Sequence, residues 1–131
     1  MNPRPFDLQS TYTHILENRA TTFSGGPDFW AGRTAKTLAD LSEEGGWLVG
    51  IYANPETWET WEMHPQGDEL VQLLSGAIDL VMELPDGERV VSLRGREAIV
   101  VPQGVWHTAV VREPGETLHL TCGAGTQHRR A

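Results

Sequence analysis

An all-β fold, a sandwich or barrel, is what this sequence predicts. Three observations carry that expectation. From Trp47 onward the chain breaks into short segments that alternate or run apolar, each stopped by a turn signal. The 14 glycines and 8 prolines mostly punctuate those segments. The longest apolar runs are a few residues, such as "AIVV" at 98–101. About nine strands at this spacing fit a closed or double-sheet architecture better than an open one.

The strands follow in order. "WLVGIYAN" (47–54) is an apolar run stopped by "NPE". "WETWEMH" (58–64) alternates. "ELVQLLS" (69–75) begins after "PQGD", and "AIDLVMEL" (77–84) is joined to "RVVSL" (89–93) by the hairpin turn "PDGE". "EAIVV" (97–101) and "HTAVV" (107–111) are separated by "PQGVW", and "TLHLTC" (117–122) follows the turn "EPGE". Before Trp47 the chain is less regular. "SGGPDFW" and "SEEGGW" read as loops, and "AKTLADL" (35–41) reads as a strand. Residues 1–44 are thus expected to pack on the 45–122 domain as an extension, and 123–131 to form a tail.

Composition bounds the function. The chain has 131 residues, enough for one domain with its own core. Net charge is −8, with a single lysine, which excludes the clustered cations a nucleic-acid partner needs. The lone cysteine, Cys122, permits no intrachain disulfide and fits a reducing cytoplasm. No basic region followed by an apolar stretch opens the chain, so no signal peptide is expected. The apolar runs are too short to span a bilayer.

One short stretch carries the chemistry: "WEMHPQGDE", residues 61–69. On a strand, residues two apart share a face, so Glu62 and His64 converge while Trp61 and Met63 face away. Proline and glycine then reverse the chain. Glu69 opens the next strand, where its carboxylate can return to the same point. In "PQGVWH" (102–107) a second Pro/Gly turn delivers a second histidine, His107. Metal binding is the commonest use of such a cluster of imidazoles and carboxylates.

With both segments in view the chain resembles a small single-domain cupin. Cupins carry a first motif G-x5-H-x-H-x3-4-E-x6-G and a second G-x5-P-x-G-x2-H-x3-N. Here the first runs through Glu62, His64, Glu69 and Gly76, with four residues between His64 and Glu69 and six between Glu69 and Gly76. The second runs from Gly95 through Pro102 and Gly104 to His107. Glu62 stands where most cupins have histidine, six residues rather than five separate Gly95 from Pro102, and Val111 stands where many have asparagine. The resemblance covers roughly residues 45–122 and implies a jelly-roll double-stranded β-helix.

It also implies one divalent transition metal at Glu62, His64, Glu69 and His107. Glu62 is either a fourth ligand or a catalytic pocket acid beside the metal. The oxygen-rich set leans toward Fe(II) or Mn(II), with Zn or Ni as alternatives. Because a ligand imidazole must be neutral, affinity is expected to fall below about pH 6.5. Three function classes follow: an oxygen-dependent dioxygenase, a non-redox isomerase, lyase or decarboxylase, and a non-catalytic module binding a small molecule or sugar. A stand-alone barrel with a full ligand set favours an enzyme with a small organic substrate.

Other residues complete the expectations. Asp68 is expected to cap its turn. His119, flanked by Leu118 and Leu120, is expected to face solvent or a partner chain, with a ligand role as the alternative, and His14 and His128 to lie on the surface. Cys122 is expected in the core. Val71, Leu73, Ala109 and Val111 are expected to wall the pocket, and Trp106 to sit at its mouth. Trp61 and Met63 are covered either by the N-terminal residues or by a second copy in a homodimer.

Overall fold

The computed structural model describes residues 3–131. Eleven strands and two short helices are laid down in chain order. They are β1 (Thr11–Ile15), β2 (Ala20–Ser24), α1 (Pro27–Trp30), α2 (Leu38–Glu44), β3 (Trp47–Asn54), β4 (Thr60–Met63) and β5 (Glu69–Leu73). Then follow β6 (Ala77–Leu84), β7 (Gly87–Leu93), β8 (Ala98–Val101), β9 (His107–Glu113), β10 (Gly115–Thr121) and β11 (Gln127–Arg130). Two antiparallel sheets result, one in the order β2-β1-β3-β10-β5-β8 and one in the order β11-β4-β9-β6-β7. The chain passes repeatedly from one sheet to the other, as a jelly roll requires.

The main core lies between the sheets. Val71, Leu73, Ile78, Leu80, Met82, Leu93, Val101 and Ala109 form one buried cluster. Full burial of each large aliphatic side chain contributes about 1.5–3 kcal/mol. Val71, Leu73 and Ala109, with Val111 packed beside them, therefore fill the closed interior and do not line the pocket expected of them. Their strand parity is inward as read, but they lie in the filled part of the barrel. A second cluster of Tyr12, Phe29, Leu41 and Leu48 fastens the N-terminal residues to the six-stranded sheet.

Residues 35–41 do not form a strand. Thr37 caps α2 by accepting from Asp40 N, and Asp40 Oδ2 accepts from Thr37 N at 2.9 Å. This reciprocal capping box satisfies two helix-end donors and selects a helix over the apolar run. The tail is also ordered by pairing: β11 lies antiparallel to β4 along the register Gln127↔Met63 to Arg130↔Thr60. β1 and β2 join the opposite sheet, and the guanidinium of Arg129 lies over the rings of Trp61 and Trp106.

The two Pro/Gly turns are bound to each other. Gly104 N donates to His64 O at 3.0 Å, Gln103 N donates to Asp68 Oδ1 at 2.8 Å, and Gln103 Nε2 donates to Pro65 O at 2.7 Å. Asp68 thus caps the second turn, not its own. Gly104 has φ +77°, a conformation that favours glycine. Gly67 is needed for a different reason: a Cβ there would meet Cys122 Sγ at 2.7 Å. Cys122 is accordingly half-buried against this turn and outside the main core. Burial and the nearby Asp68 push its thiol up, so it stays protonated.

Candidate metal centre

The turn clamp sets the site. His64 follows the end of β4, Glu69 opens β5, and His107 opens β9. Glu62 pairs directly with His107 across β4 and β9, and Glu69 pairs with Thr121 across β5 and β10. The four sequence-predicted residues are brought together from both sheets. One ligand-type atom from each of Glu62, His64, Glu69 and His107 lies within 4.8 Å of all the others.

The contacts are close but are not hydrogen bonds. His107 Nε2 lies 3.0 Å from Glu69 Oε1 and 3.4 Å from Glu62 Oε1. His64 Nε2 lies 3.3 Å from Glu69 Oε2 and 3.9 Å from Glu62 Oε1. Yet His64 Nε2, His107 Nε2 and Glu69 Oε1 are buried without a hydrogen-bond partner. Unsatisfied buried polar atoms are rare and costly. Three of them gathered at one point fit a cation that would take their lone pairs.

The outer contacts fix the orientation of each of these side chains. Thr126 Oγ1 donates its only proton to Gly123 O at 2.9 Å, so it accepts from His64 Nδ1 at 2.8 Å. His107 Nδ1 lies 3.0 Å from Val105 O, which can only accept. With each Nδ1 engaged from outside, Nε2 is the nitrogen that each ring aims at the centre.

Glu69 is held by a longer chain. Trp58 Nε1 donates to Asn54 Oδ1 at 2.9 Å, and Asn54 Nδ2 donates to Thr117 Oγ1 at 3.0 Å. Thr117 Oγ1 then donates to His119 Nε2 at 2.9 Å, which leaves His119 Nδ1 to donate to Glu69 Oε2 at 3.3 Å. Thr121 Oγ1 donates to the same oxygen at 2.7 Å. Oε2 is saturated from outside, and Oε1 is left for the centre.

His119 therefore does not face solvent. It is buried with Thr117 and Thr121, while Leu118 and Leu120 take the other face. His14 is buried too, its Nε2 against Gly45 O. His128 is exposed on one side but pairs with Glu62 across β11 and β4, with its Nε2 3.5 Å from Glu62 Oε2. Sequence reading missed Thr126, His119 and His128 as site residues. Only His119 left a local signal: three polar residues at alternate positions in "TLHLT", which mark a polar inner face.

Electrostatics favours a cation. Burial works against the charge on Glu62, but the imidazoles of His107 and His128 outweigh it and hold the carboxyl down at about 2. Burial likewise opposes the charge on Glu69, and His107, His119 and His64 keep it well below the usual carboxylate range. His107 is the counterpart: burial would lower it, but Glu62 and Glu69 raise it to about 10. Two ionised carboxylates thus face one point, which favours a cation there.

A cavity of about 280 Å³ adjoins the centre, bordered by Glu62, His64 and Glu69 at its inner end. Burial, with Tyr12, Glu69 and Glu62 nearby, pushes the hydroxyl of Tyr52 in its wall upward, so it stays a phenol. A second cavity of about 430 Å³, lined by His14 and Cys122 among others, lies behind α2. No helix among the described residues is long and apolar enough to cross a membrane.

No family model matches the chain. No curated protein matches it either. Solved structures do. The chain is similar to a cupin-2 domain protein from Shewanella frigidimarina, at 18% identity over 58% of this chain and 70% of that one, with TM-score 0.50. It is similar to a double-stranded β-helix protein from Klebsiella pneumoniae, at 18% identity over 65% and 76% of the two chains, TM-score 0.53. It also matches the Mn(II)-containing oxalate decarboxylase of Bacillus subtilis, at 14% identity over 70% of this chain but 26% of that one, TM-score 0.56. With its two facing antiparallel sheets and these neighbours, the chain has the double-stranded β-helix fold of the cupins.

Proposed function

We propose that the protein is a small metalloenzyme. It binds one divalent transition ion through His64 Nε2, His107 Nε2, Glu69 Oε1 and a Glu62 oxygen, and acts on a small organic molecule in the adjoining cavity. The observation that carries this reading is the convergence of three buried, unpartnered polar atoms on one point. Two nitrogens and two carboxylates favour Fe(II) or Mn(II), with Zn or Ni as alternatives. Such an ion would supply Lewis acidity and, if iron, electron transfer with oxygen.

The chain's own residues do the rest. Thr126 and Val105 hold the two imidazoles in the ligating tautomer. His119 and Thr121 hold Glu69 to one oxygen. Glu62 is ionised and borders the cavity, so it is placed to take a proton from a bound molecule. His128 at its outer oxygen is half exposed and connects that carboxylate to solvent.

Elemental analysis of the purified protein, followed by oxygen uptake with the Fe(II)-loaded form, tests the reading. One equivalent of Fe or Mn is expected. Oxygen consumption on addition of a small organic substrate selects the dioxygenase branch, and turnover of that substrate without oxygen consumption selects the non-redox branch. Protein purified without chelator that takes up no divalent metal contradicts both.

A further inference from the structure

The cavity beside the centre is walled by rings and, among the described residues, carries no guanidinium or ammonium group. Trp30, Tyr52, His119 and Trp58 form an unbroken series of ring contacts from the mouth inward. The centroid separations are 6.0 Å for Trp30 and Tyr52, 5.0 Å for Tyr52 and His119, and 6.0 Å for His119 and Trp58. Trp30 is 46% exposed and marks the mouth, while His119 touches Glu69 at the inner end. Among the described residues lining the cavity there is no lysine or arginine.

That wall discriminates by charge. A carboxylate or phosphate entering here would lose water beside Glu62 and Glu69, with no guanidinium or ammonium to replace its solvation. Two glutamates also balance the charge of a divalent ion, so the loaded centre offers little net pull on a further anion. A ring suffers neither cost and gains stacking or edge contacts with the wall. Size narrows the choice. A cavity of about 280 Å³ is roughly twice the ~150 Å³ that admits benzene. It holds one ring with one or two small substituents.

We propose that this cavity takes an uncharged monocyclic phenol, its ring against Trp58 and Tyr52 and its oxygen toward Glu62, His64, Glu69 and His107. The proposal rests on reading that centre as a metal site, and names the substrate class for it. Thr60 and Thr126, which also line the cavity, offer hydroxyls to ring substituents.

Calorimetric titration tests it with three probes: 4-methylphenol, 4-methylcyclohexanol of similar size without a π system, and succinate as a small anion. Each is titrated into metal-free and Mn(II)-loaded protein. The phenol is expected to bind both forms, more tightly the loaded one, and about fivefold or more tighter than the cyclohexanol. In the metal-free protein Trp58→Leu is expected to weaken the phenol by about fivefold, and Trp58→Phe, which keeps a ring but loses the bond to Asn54, by a smaller factor. Trp30→Leu, at the exposed mouth, is expected to cost about threefold with an unchanged circular dichroism spectrum. Equal binding of phenol and cyclohexanol, or tighter binding of succinate, overturns the proposal while leaving the metal reading intact. Preferential phenol binding to a protein that takes none of Mn(II), Fe(II), Zn or Ni supports the ring slot and overturns the metal reading instead.

Discussion

His119 Nδ1 lies 3.3 Å from Glu69 Oε2, and Thr121 Oγ1 donates to that same oxygen at 2.7 Å. Together they use up the outer side of the carboxylate and turn its other oxygen, buried and unpartnered, into the centre. The imidazole is in turn fixed by Thr117, Asn54 and Trp58. A buried network of this kind is effective only when every member is satisfied.

Replacing His119 by Ala frees Glu69 to rotate. Metal affinity is expected to fall about 10–100-fold with the ligand set intact. Competition against a chelator of known affinity measures it. Thr117→Val should weaken the metal by a smaller factor in the same direction, because it removes the donor to His119 Nε2. Unchanged affinity in both variants would remove the network from the account.

Glu62→Gln separates two roles. As a ligand, Glu62 should carry metal affinity with it, and the variant loses both metal and activity. As a proton acceptor alone, the variant keeps a full equivalent of metal and loses turnover, since glutamine cannot take the proton. Metal content and rate measured on one preparation decide between them.

His107 sets the pH dependence. In the metal-free protein its imidazole is raised to about 10 by Glu62 and Glu69, while both carboxylates are ionised well below neutrality. Metal must therefore displace one proton from His107 across the whole range from pH 6.5 to about 10, not only below 6.5 as an unperturbed imidazole would require. Apparent affinity should rise about tenfold per pH unit in that range, with one proton released on binding. Titrations in buffers of different ionisation enthalpy count that proton. The stability consequence has the opposite sign. A raised imidazole stabilises the metal-free fold fully below about 6.5, and that contribution is lost as pH rises through about 10.

The clamp between the turns is tested by Asp68→Ala. It removes the bond to Gln103 N at 2.8 Å, which is exposed and so contributes about 1 kcal/mol. The melting temperature should fall by about 4 °C. Because the turns carry His64 and His107, metal affinity should drop as well.

The grouping of Glu62, His64, Glu69 and His107 was legible because these residues sit beside local turns. His64 and Glu69 flank one Pro/Gly turn, His107 follows another, and each parity argument spans a few residues. The surroundings were not legible for two physical reasons. His119, Thr117 and Thr121 face inward, where they bond to one another and to Glu69, so the hydrophobic alternation of Leu118 and Leu120 pointed to the wrong face as buried. Thr126 and His128 reach the site only through β11 pairing with β4, a long-range register that carries no local signature. The helix at Leu38–Glu44 was legible in principle from Thr37 and Asp40, but a short apolar run fits strand and helix alike.

Metal stoichiometry of the wild type against His64→Ala and His107→Ala tests the central claim most directly. Each variant removes one of the two unpartnered Nε2 atoms. The wild type is expected to hold one equivalent of a divalent transition ion per chain by elemental analysis, and each variant well below half an equivalent under the same conditions. A full equivalent retained in both variants would place the metal elsewhere and contradict the account.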